Sequence, residues 1–239
     1  MNTVVTALST YDDIAAEYYD AVRHPTCANF FELSAAFLIP RIQKYAPAAK
    51  AILEVGTGRS IVAPTMAAKE LPLSHVTLLD QSPRMLEHSR DWERRGARFL
   101  VADAASTGLP PTSFQLIVSS LGDPYNDANF WQEMSRLLDL KGVCLFTTPA
   151  PEWSERFRAG SNRRVAEFVL GSGAKALVRS DIPSVASQSE MIDGAGLYVN
   201  EMQALDAAQL SGPLSSKLLV DGQTSSLPVV RGFAVKSKE

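Results

Sequence analysis

Three carboxylates and two glycines carry the chemistry that this sequence most clearly offers. Glu54 stands two positions ahead of Gly56, Asp80 closes the apolar run 76–79, and Asp103 closes the apolar run 99–102. Directly behind the apolar run 51–55, Gly56-Thr57-Gly58 allows backbone torsions and a close ligand approach that a Cβ would forbid, so this turn reads as a ligand seat. Acidic groups at the carboxyl ends of strands are where open α/β sheets bind their ligands. Asp80 is placed to accept from both hydroxyls of a ribose at once, which an amide does less well. The chemistry implied is recognition of a nucleoside.

The elements that must position these groups follow from apolar runs and helix signals. Residues 51–55, 76–79 and 99–102 are short and apolar enough for buried parallel strands, and 114–119 and 140–148 continue the series. Ser82-Pro83 is a helix start, capped by serine with proline at the first helical position, and predicts a helix over 83–95 that fixes Asp80 just ahead of it. Residues 61–71 are expected to be helical, with Pro64 tolerated in the first turn and unpaired amides there able to solvate a ligand carboxylate.

At the amino end, Thr10 and Asp13 form a capping pair and Arg23-His24-Pro25 a stop, followed by a second amphipathic helix through Phe30, Phe37 and Ile42 with Pro40 as its kink or break. Residues 128–138 read as a further helix. Between 151 and 183 the pattern changes: arginines and lysine (Arg156, Arg158, Arg163, Arg164, Lys175, Arg179) outnumber acids, and the apolar spacing predicts a helical insertion over the site. The capping box Ser187-Gln188-Ser189-Glu190 opens a last crossover helix, with strands at 198–205 and 229–235 behind it.

With Glu54-Val55-Gly56-Thr57-Gly58, Leu79-Asp80-Gln81-Ser82, Ala102-Asp103-Ala104 and the strand Phe114 to Ser119-Ser120 in place, residues 51–149 resemble the class I S-adenosylmethionine-dependent methyltransferases, in the small-molecule branch that includes ubiquinone-biosynthesis-like enzymes. A nicotinamide dehydrogenase would share the glycines and Asp80 but has no need of Asp103. Ser60 departs from the family, which usually has a third glycine there, and the departure counts more heavily against a dinucleotide.

The resemblance implies an α/β fold: a Rossmann-like, seven-stranded, mostly parallel sheet with helices on both faces and an antiparallel final strand. It implies one domain made of an N-terminal helical cap (1–47), a cofactor-binding core (48–150), a lid insertion (151–186) and the C-terminal part of the sheet (187–239). The implied cofactor is S-adenosyl-L-methionine, held by Tyr11, Tyr19, Glu54, Gly56, Thr57, Gly58, Asp80, Gln81, Met85, Asp103, Ala104, Ser119 and Ser120. Within that set Asp103 would accept from the adenine amine and the Ala104 amide would donate to the ring. Tyr11, Ala15 and Tyr18 or Tyr19 match a family segment that closes over the cofactor; the competing reading of the tyrosines is as anchors of the first helix.

The reaction implied is in-line displacement of a methyl group from a sulfonium to an O, N or C nucleophile of a small molecule, in which positioning dominates. A base is needed only for an acceptor that arrives protonated. The catalytic candidates are His24, between the two covering helices, and Asp123 and Tyr125 in the loop after the fourth strand; a structural histidine at a helix end is the alternative for His24. Asp123-Pro124-Tyr125 is a degenerate form of a signature found in enzymes that methylate nucleic-acid bases, one proline short. The other readings are a non-catalytic sensor or partner subunit that binds the cofactor, and a nucleic-acid base methyltransferase.

Composition narrows these. A net charge of -3 and a pI near 5.7 provide no general basic field for nucleic acid. Asp123, Asn126 and Asp127 are too close together in one loop to form a magnesium site alone, and three histidines and two cysteines have no ligand spacing, so no metal is expected. Cys27 and Cys144 read as reduced thiols. With no signal-peptide pattern and no membrane-length apolar stretch, the expectation is a cytoplasmic monomer or homodimer whose partner is a small-molecule methyl acceptor.

Overall fold

The computed structural model describes residues 8–158, 164–220, 223–224 and 226–238. In chain order the strands are β1 (Ile52–Val55), β2 (Val76–Asp80), β3 (Arg98–Val101), β4 (Phe114–Ser119), β5 (Leu138–Pro149), β6 (Val165–Val169), β7 (Lys175–Arg179), β8 (Leu197–Asp206), β9 (Leu219–Val220), β10 (Gln223–Thr224) and β11 (Pro228–Ser237). The α-helices are α1 (Tyr11–Ile14), α2 (Pro25–Tyr45), α3 (Val62–Ala67), α4 (Pro83–Leu86), α5 (Arg90–Arg94), α6 (Ala128–Leu137), α7 (Pro151–Ser154) and α8 (Val185–Gly194).

Seven strands form one sheet in the order β3-β2-β1-β4-β5-β11-β8. The pairs from β3 to β5 are parallel, and β11 runs antiparallel to both of its neighbours. The order reverses at β1 and β4, so the carboxyl ends of β1, β2 and β4 open onto a crevice at the switch point. The fold predicted from the resemblance, antiparallel last strand included, is the fold observed.

Although β1 is buried throughout, its residues still alternate between faces. Ile52, Leu116, Val118 and Leu145 join Leu33, Phe37 and Ile42 of α2 with Val62 and Met66 of α3 in one core. Leu53, Val55, Ile117 and Phe146 join Phe130, Trp131 and Met134 of α6 with Ile192 of α8 in the other. Glu54 therefore faces the α2 and α3 side, a consequence of period two that decides its role below. On that side the Phe37 ring lies against Gly232 of β11, where a Cβ would have no room. The guanidinium of Arg41 stands over the same ring at 3.7 Å from its centre, so Phe37 is one of the side chains that seat α2 on the sheet.

Several expected elements differ in extent or kind. The helix α2 runs through Pro40 without ending there. The predicted helices over 61–71 and 83–95 are shorter or divided, into α3 and into α4, a 3-10 turn and α5. The helical insertion is corrected to a β-hairpin: β6 and β7 pair antiparallel from Val165 with Arg179 to Val169 with Lys175. The reason is visible in Leu170-Gly171-Ser172-Gly173-Ala174, a turn closed by the Leu170 amide on the Ala174 carbonyl at 2.8 Å with Gly173 at φ 82°. Only α7, a single turn, is helical there among the described residues, and Arg163 lies outside them.

The hairpin lies over the N-terminal cap. Ile14 packs with Phe168, Ala176 and Val178, the Ser9 amide donates to the Leu177 carbonyl at 2.7 Å, and the Gly171 amide donates to the Glu17 carboxylate at 2.8 Å. Among the described residues no helix is long and apolar enough to cross a membrane.

Candidate active site

The glycine turn is tied to the neighbouring strand by its own backbone. The Thr57 amide donates to the Leu79 carbonyl at 3.0 Å, the Gly58 amide to Asp80 Oδ2 at 2.9 Å, and Gly56 and Gly58 hold φ of 62° and 44°. Asp80 Oδ1 accepts from the Ser82 amide at 2.9 Å, leaving lone pairs on both oxygens for a ligand. Burial pushes the Asp80 carboxyl above its ordinary range, opposed by the amides of Ser82 and Gly58. Ser82 caps α4, accepting from the Met85 amide at 3.0 Å, and its hydroxyl donates to Asp12, which couples the cap to the strand end.

Beside this turn lies a cavity of about 490 Å³, within the roughly 300–1,000 Å³ usual for small-molecule sites. It brings together most of the residues read from the sequence: Gly56, Thr57, Asp80, Gln81, Met85, Asp103, Ala104, Ser120 and Tyr125 from the core, with Tyr11 and Tyr19 from the cap. Asp103 Oδ1 accepts from the Ala105 amide at 2.8 Å. The wall opposite the turn is aromatic, with Tyr11, Tyr18, Tyr19 and Phe31, where Tyr18 meets both Tyr11 and Tyr19 edge to face.

Five of the expected residues do not line it; Gly58 is taken up by Asp80 through its amide and by the Ser89 hydroxyl, at 2.7 Å, through its carbonyl. Glu54 is 1% exposed and turned toward α3, where it accepts from the Ser60 hydroxyl and from the Ile61 amide at 2.8 Å. The amides expected to solvate a ligand carboxylate are therefore already engaged by Glu54, and the serine that replaces the family's third glycine is one of its partners. Ser119 lies behind the cavity, hydrogen-bonded to the Tyr125 hydroxyl at 2.9 Å. His24 occupies the N-cap position of α2 without a side-chain capping bond, its ring edge to face with Phe168, and does not line the cavity. Asp123 points under the hairpin: it accepts from the Ser180 hydroxyl, its backbone carbonyl receives the Asp181 amide at 2.7 Å, and burial pushes its carboxyl up to about 6.

Tyr125 is held by two bonds. Its hydroxyl donates to the Val55 carbonyl at 2.9 Å and meets Ser119, which places the ring directly over Gly56. Burial raises its phenol far above the ordinary value, so it stays neutral as a wall of the site. The sequence reading left Tyr18 and Tyr19 as alternatives where both line the cavity, and it missed Cys27, Phe31 and Arg59. Arg59 follows Gly58 directly, and adjacency to the turn was the signal that could have found it.

Glu54 carries a pH consequence. Burial pushes its carboxyl from 4.5 to about 7, opposed by the Ser60 hydroxyl and the Ile61 and Val62 amides. The folded state thus holds this proton more tightly than the unfolded chain does. Its contribution to stability is complete below the unfolded value and is lost as pH rises through about 7, by on the order of 2 kcal/mol. Melting temperature is expected to fall across that window, and Glu54→Gln to flatten the decline; an unchanged slope in the variant would remove Glu54 as its source.

Residues 52–142 match a family model described as a methyltransferase domain. No curated protein matches the sequence. Solved structures do match along nearly the whole chain. An S-adenosylmethionine-dependent methyltransferase from Clostridium acetobutylicum is 12% identical with a TM-score of 0.64, covering 96% of this chain and 99% of its own. The PH0226 protein of Pyrococcus horikoshii is 11% identical at 0.65, covering 97% and 100%. Burkholderia thailandensis 1,6-didemethyltoxoflavin-N1-methyltransferase, solved with 1,6-didemethyltoxoflavin and S-adenosylhomocysteine, is 13% identical at 0.56, covering 99% and 94%. At such identities the likeness establishes the fold.

The matched segment is that of a methyltransferase domain, and the fold around it is one that S-adenosylmethionine-dependent methyltransferases share.

Proposed function

We propose that the protein is a class I S-adenosylmethionine-dependent methyltransferase that methylates an O, N or C nucleophile of a small molecule, within the small-molecule branch of the fold. The observation that carries this reading is the roof: residues 8–19 and the β6–β7 hairpin close over one cavity that both cofactor and acceptor must share. A base within a nucleic-acid strand would have to bring its backbone through that roof, and a net charge of -3 offers such a strand no attractive field. The aromatic wall of Tyr11, Tyr18 and Phe31, with Leu121 and Pro124, suits an acceptor with a flat or apolar body.

In this reading Asp80 holds the ribose of the cofactor, Asp103 and Ala104 its adenine, and Gln81 and Met85 flank the nucleoside. Catalysis comes from alignment of the nucleophile with the sulfonium carbon. His24 and Asp123 act in the cap and hairpin as structural groups, and Tyr125 walls the cavity, so none of the three serves as the base.

Incubation with methyl-labelled cofactor and either a metabolite extract, RNA or DNA tests the proposal. Label is expected in a low-molecular-weight product; incorporation confined to nucleic acid would overturn it, and uptake of cofactor without any transfer would favour a sensor. Turnover is also expected to survive a chelator. Asp127 caps α6 through the Phe130 amide and pairs with Arg179 at 2.8 Å, while Asn126 bridges Trp131 and Gln188, so the loop's oxygens are committed to protein partners. Activity lost to chelation and restored by magnesium would refute that expectation.

A further inference from the structure

Behind the cavity wall three hydroxyls run in series. Ser120 lines the cavity and its hydroxyl lies 2.8 Å from that of Ser34 on α2, which in turn lies 2.7 Å from that of Thr147 on β5. Ser34 and Thr147 are fully buried. Thr147 Oγ1 also accepts from the Leu121 amide at 2.9 Å, and the Thr147 carbonyl accepts from the Gly122 amide at 2.9 Å. These two bonds clamp the loop after β4 onto β5 and hold Leu121 at φ 55°, a left-handed position that a leucine keeps only where its surroundings impose it.

The partners dictate which oxygen gives and which receives. Each hydroxyl has one hydrogen to donate and lone pairs to accept with. Among the described residues the Thr147 hydrogen has one acceptor, Ser34 Oγ, so Thr147 donates and Ser34 receives. Ser34 then has one acceptor left for its own hydrogen, Ser120 Oγ. The opposite order would leave the Thr147 hydrogen buried without an acceptor, a desolvation cost that this order avoids. Ser120 therefore receives from behind and turns its own hydrogen toward the cavity. It cannot relay a proton inward either, because the series ends at Thr147, which has nowhere to pass one.

Resting on the methyl-transfer reading above, we propose that Ser120 is a specificity-determining donor for the methyl acceptor, which presents to it a carbonyl oxygen or a ring nitrogen with a free lone pair rather than an N–H. Ser34 and Thr147 are positioning residues that act through it. Leu121 and Pro124 line the same cavity, so a flat body with the accepting atom at its edge matches the surroundings of the hydroxyl. The ammonium of the cofactor's methionine tail only donates, and a serine fixed as a donor has no bond to make with it.

NMR titration of protein saturated with S-adenosylhomocysteine would compare two flat probes: quinoline, whose ring nitrogen offers a lone pair, and indole, whose nitrogen offers a hydrogen. Wild-type protein is expected to prefer quinoline by about tenfold, and Ser120→Ala to bring the ratio to about one. Ser34→Ala keeps the Ser120 hydroxyl but frees it to accept, so the ratio falls in the same direction, whereas Thr147→Ser keeps both the series and the preference. A loss of packing alone would weaken both probes together and leave their ratio in place. Equal affinity of the wild-type protein for the two probes, uptake of neither, or a ratio unmoved by Ser120→Ala in a variant of normal melting temperature would overturn the proposal. So would a loss of S-adenosylhomocysteine affinity in Ser120→Ala, which would set the hydroxyl against the cofactor instead. Wild-type protein that takes up no S-adenosylhomocysteine would remove the methyl-transfer reading itself, and this inference with it.

Discussion

Asp80→Ala is expected to weaken uptake of S-adenosylhomocysteine by about 100-fold or more, because two charge-assisted bonds to the ribose disappear in a buried site where each contributes on the order of 1.5–3 kcal/mol. Asp80 is 8% exposed and each carboxylate oxygen already holds one backbone amide. The substitution therefore also unpairs the amides of Gly58 and Ser82, and some loss of melting temperature accompanies the loss of affinity. Asp80→Asn is expected to fall between: its single oxygen keeps one backbone amide and one ribose hydroxyl, while its NH2 is set against the other backbone amide, so both losses are partial. Calorimetry with both variants checks the expectation, and affinity unchanged in Asp80→Ala would refute the placement of the nucleoside.

Gly56→Ala is expected to abolish methyl transfer and to lower stability by about 2–4 kcal/mol, the sum of a left-handed backbone position for a residue with a Cβ and of overpacking in a tight interior. Gly56 holds φ 62°. An added Cβ there would meet the Tyr125 hydroxyl first, then two of its ring carbons. The tyrosine cannot swing aside cheaply, since its hydroxyl is bound to Val55 and Ser119. Thermal unfolding and a label-transfer assay measure the two losses. Tyr125→Phe in the Gly56→Ala background removes the nearest clashing atom, so part of the lost stability is expected to return. No recovery would place the whole cost on the backbone.

Much of this site could be read directly from residue order. Apolar runs that end in Asp80 and Asp103 fix strand ends, and strand ends in an open parallel sheet face one crevice, so the two acids that line the cavity were legible without coordinates. Glu54 was not, because the argument from strand ends ignored alternation. The acid lies one residue short of the end of β1, on the α3 face, and its carboxylate serves the first turn of α3. The hairpin was misread because the arginines of 151–183 suggested a helix surface, whereas Gly171 and Gly173 mark the turn between two short alternating strands. His24 looked poised by its position between helices, yet which side of a helix end a ring faces depends on what packs there, in this case Phe168 of β6.

The place of β11 has a consequence for biogenesis. This strand, made after every other member of the main sheet, occupies an interior position between β5 and β8. A polypeptide emerging from the ribosome therefore has the core of its cavity encoded while one flank of β5 still lacks a neighbour. The exposed rim includes Thr147 and Thr148, later covered by Gly232 and Arg231. Until the carboxyl-terminal segment threads into that gap, the nascent sheet presents an open edge to other chains.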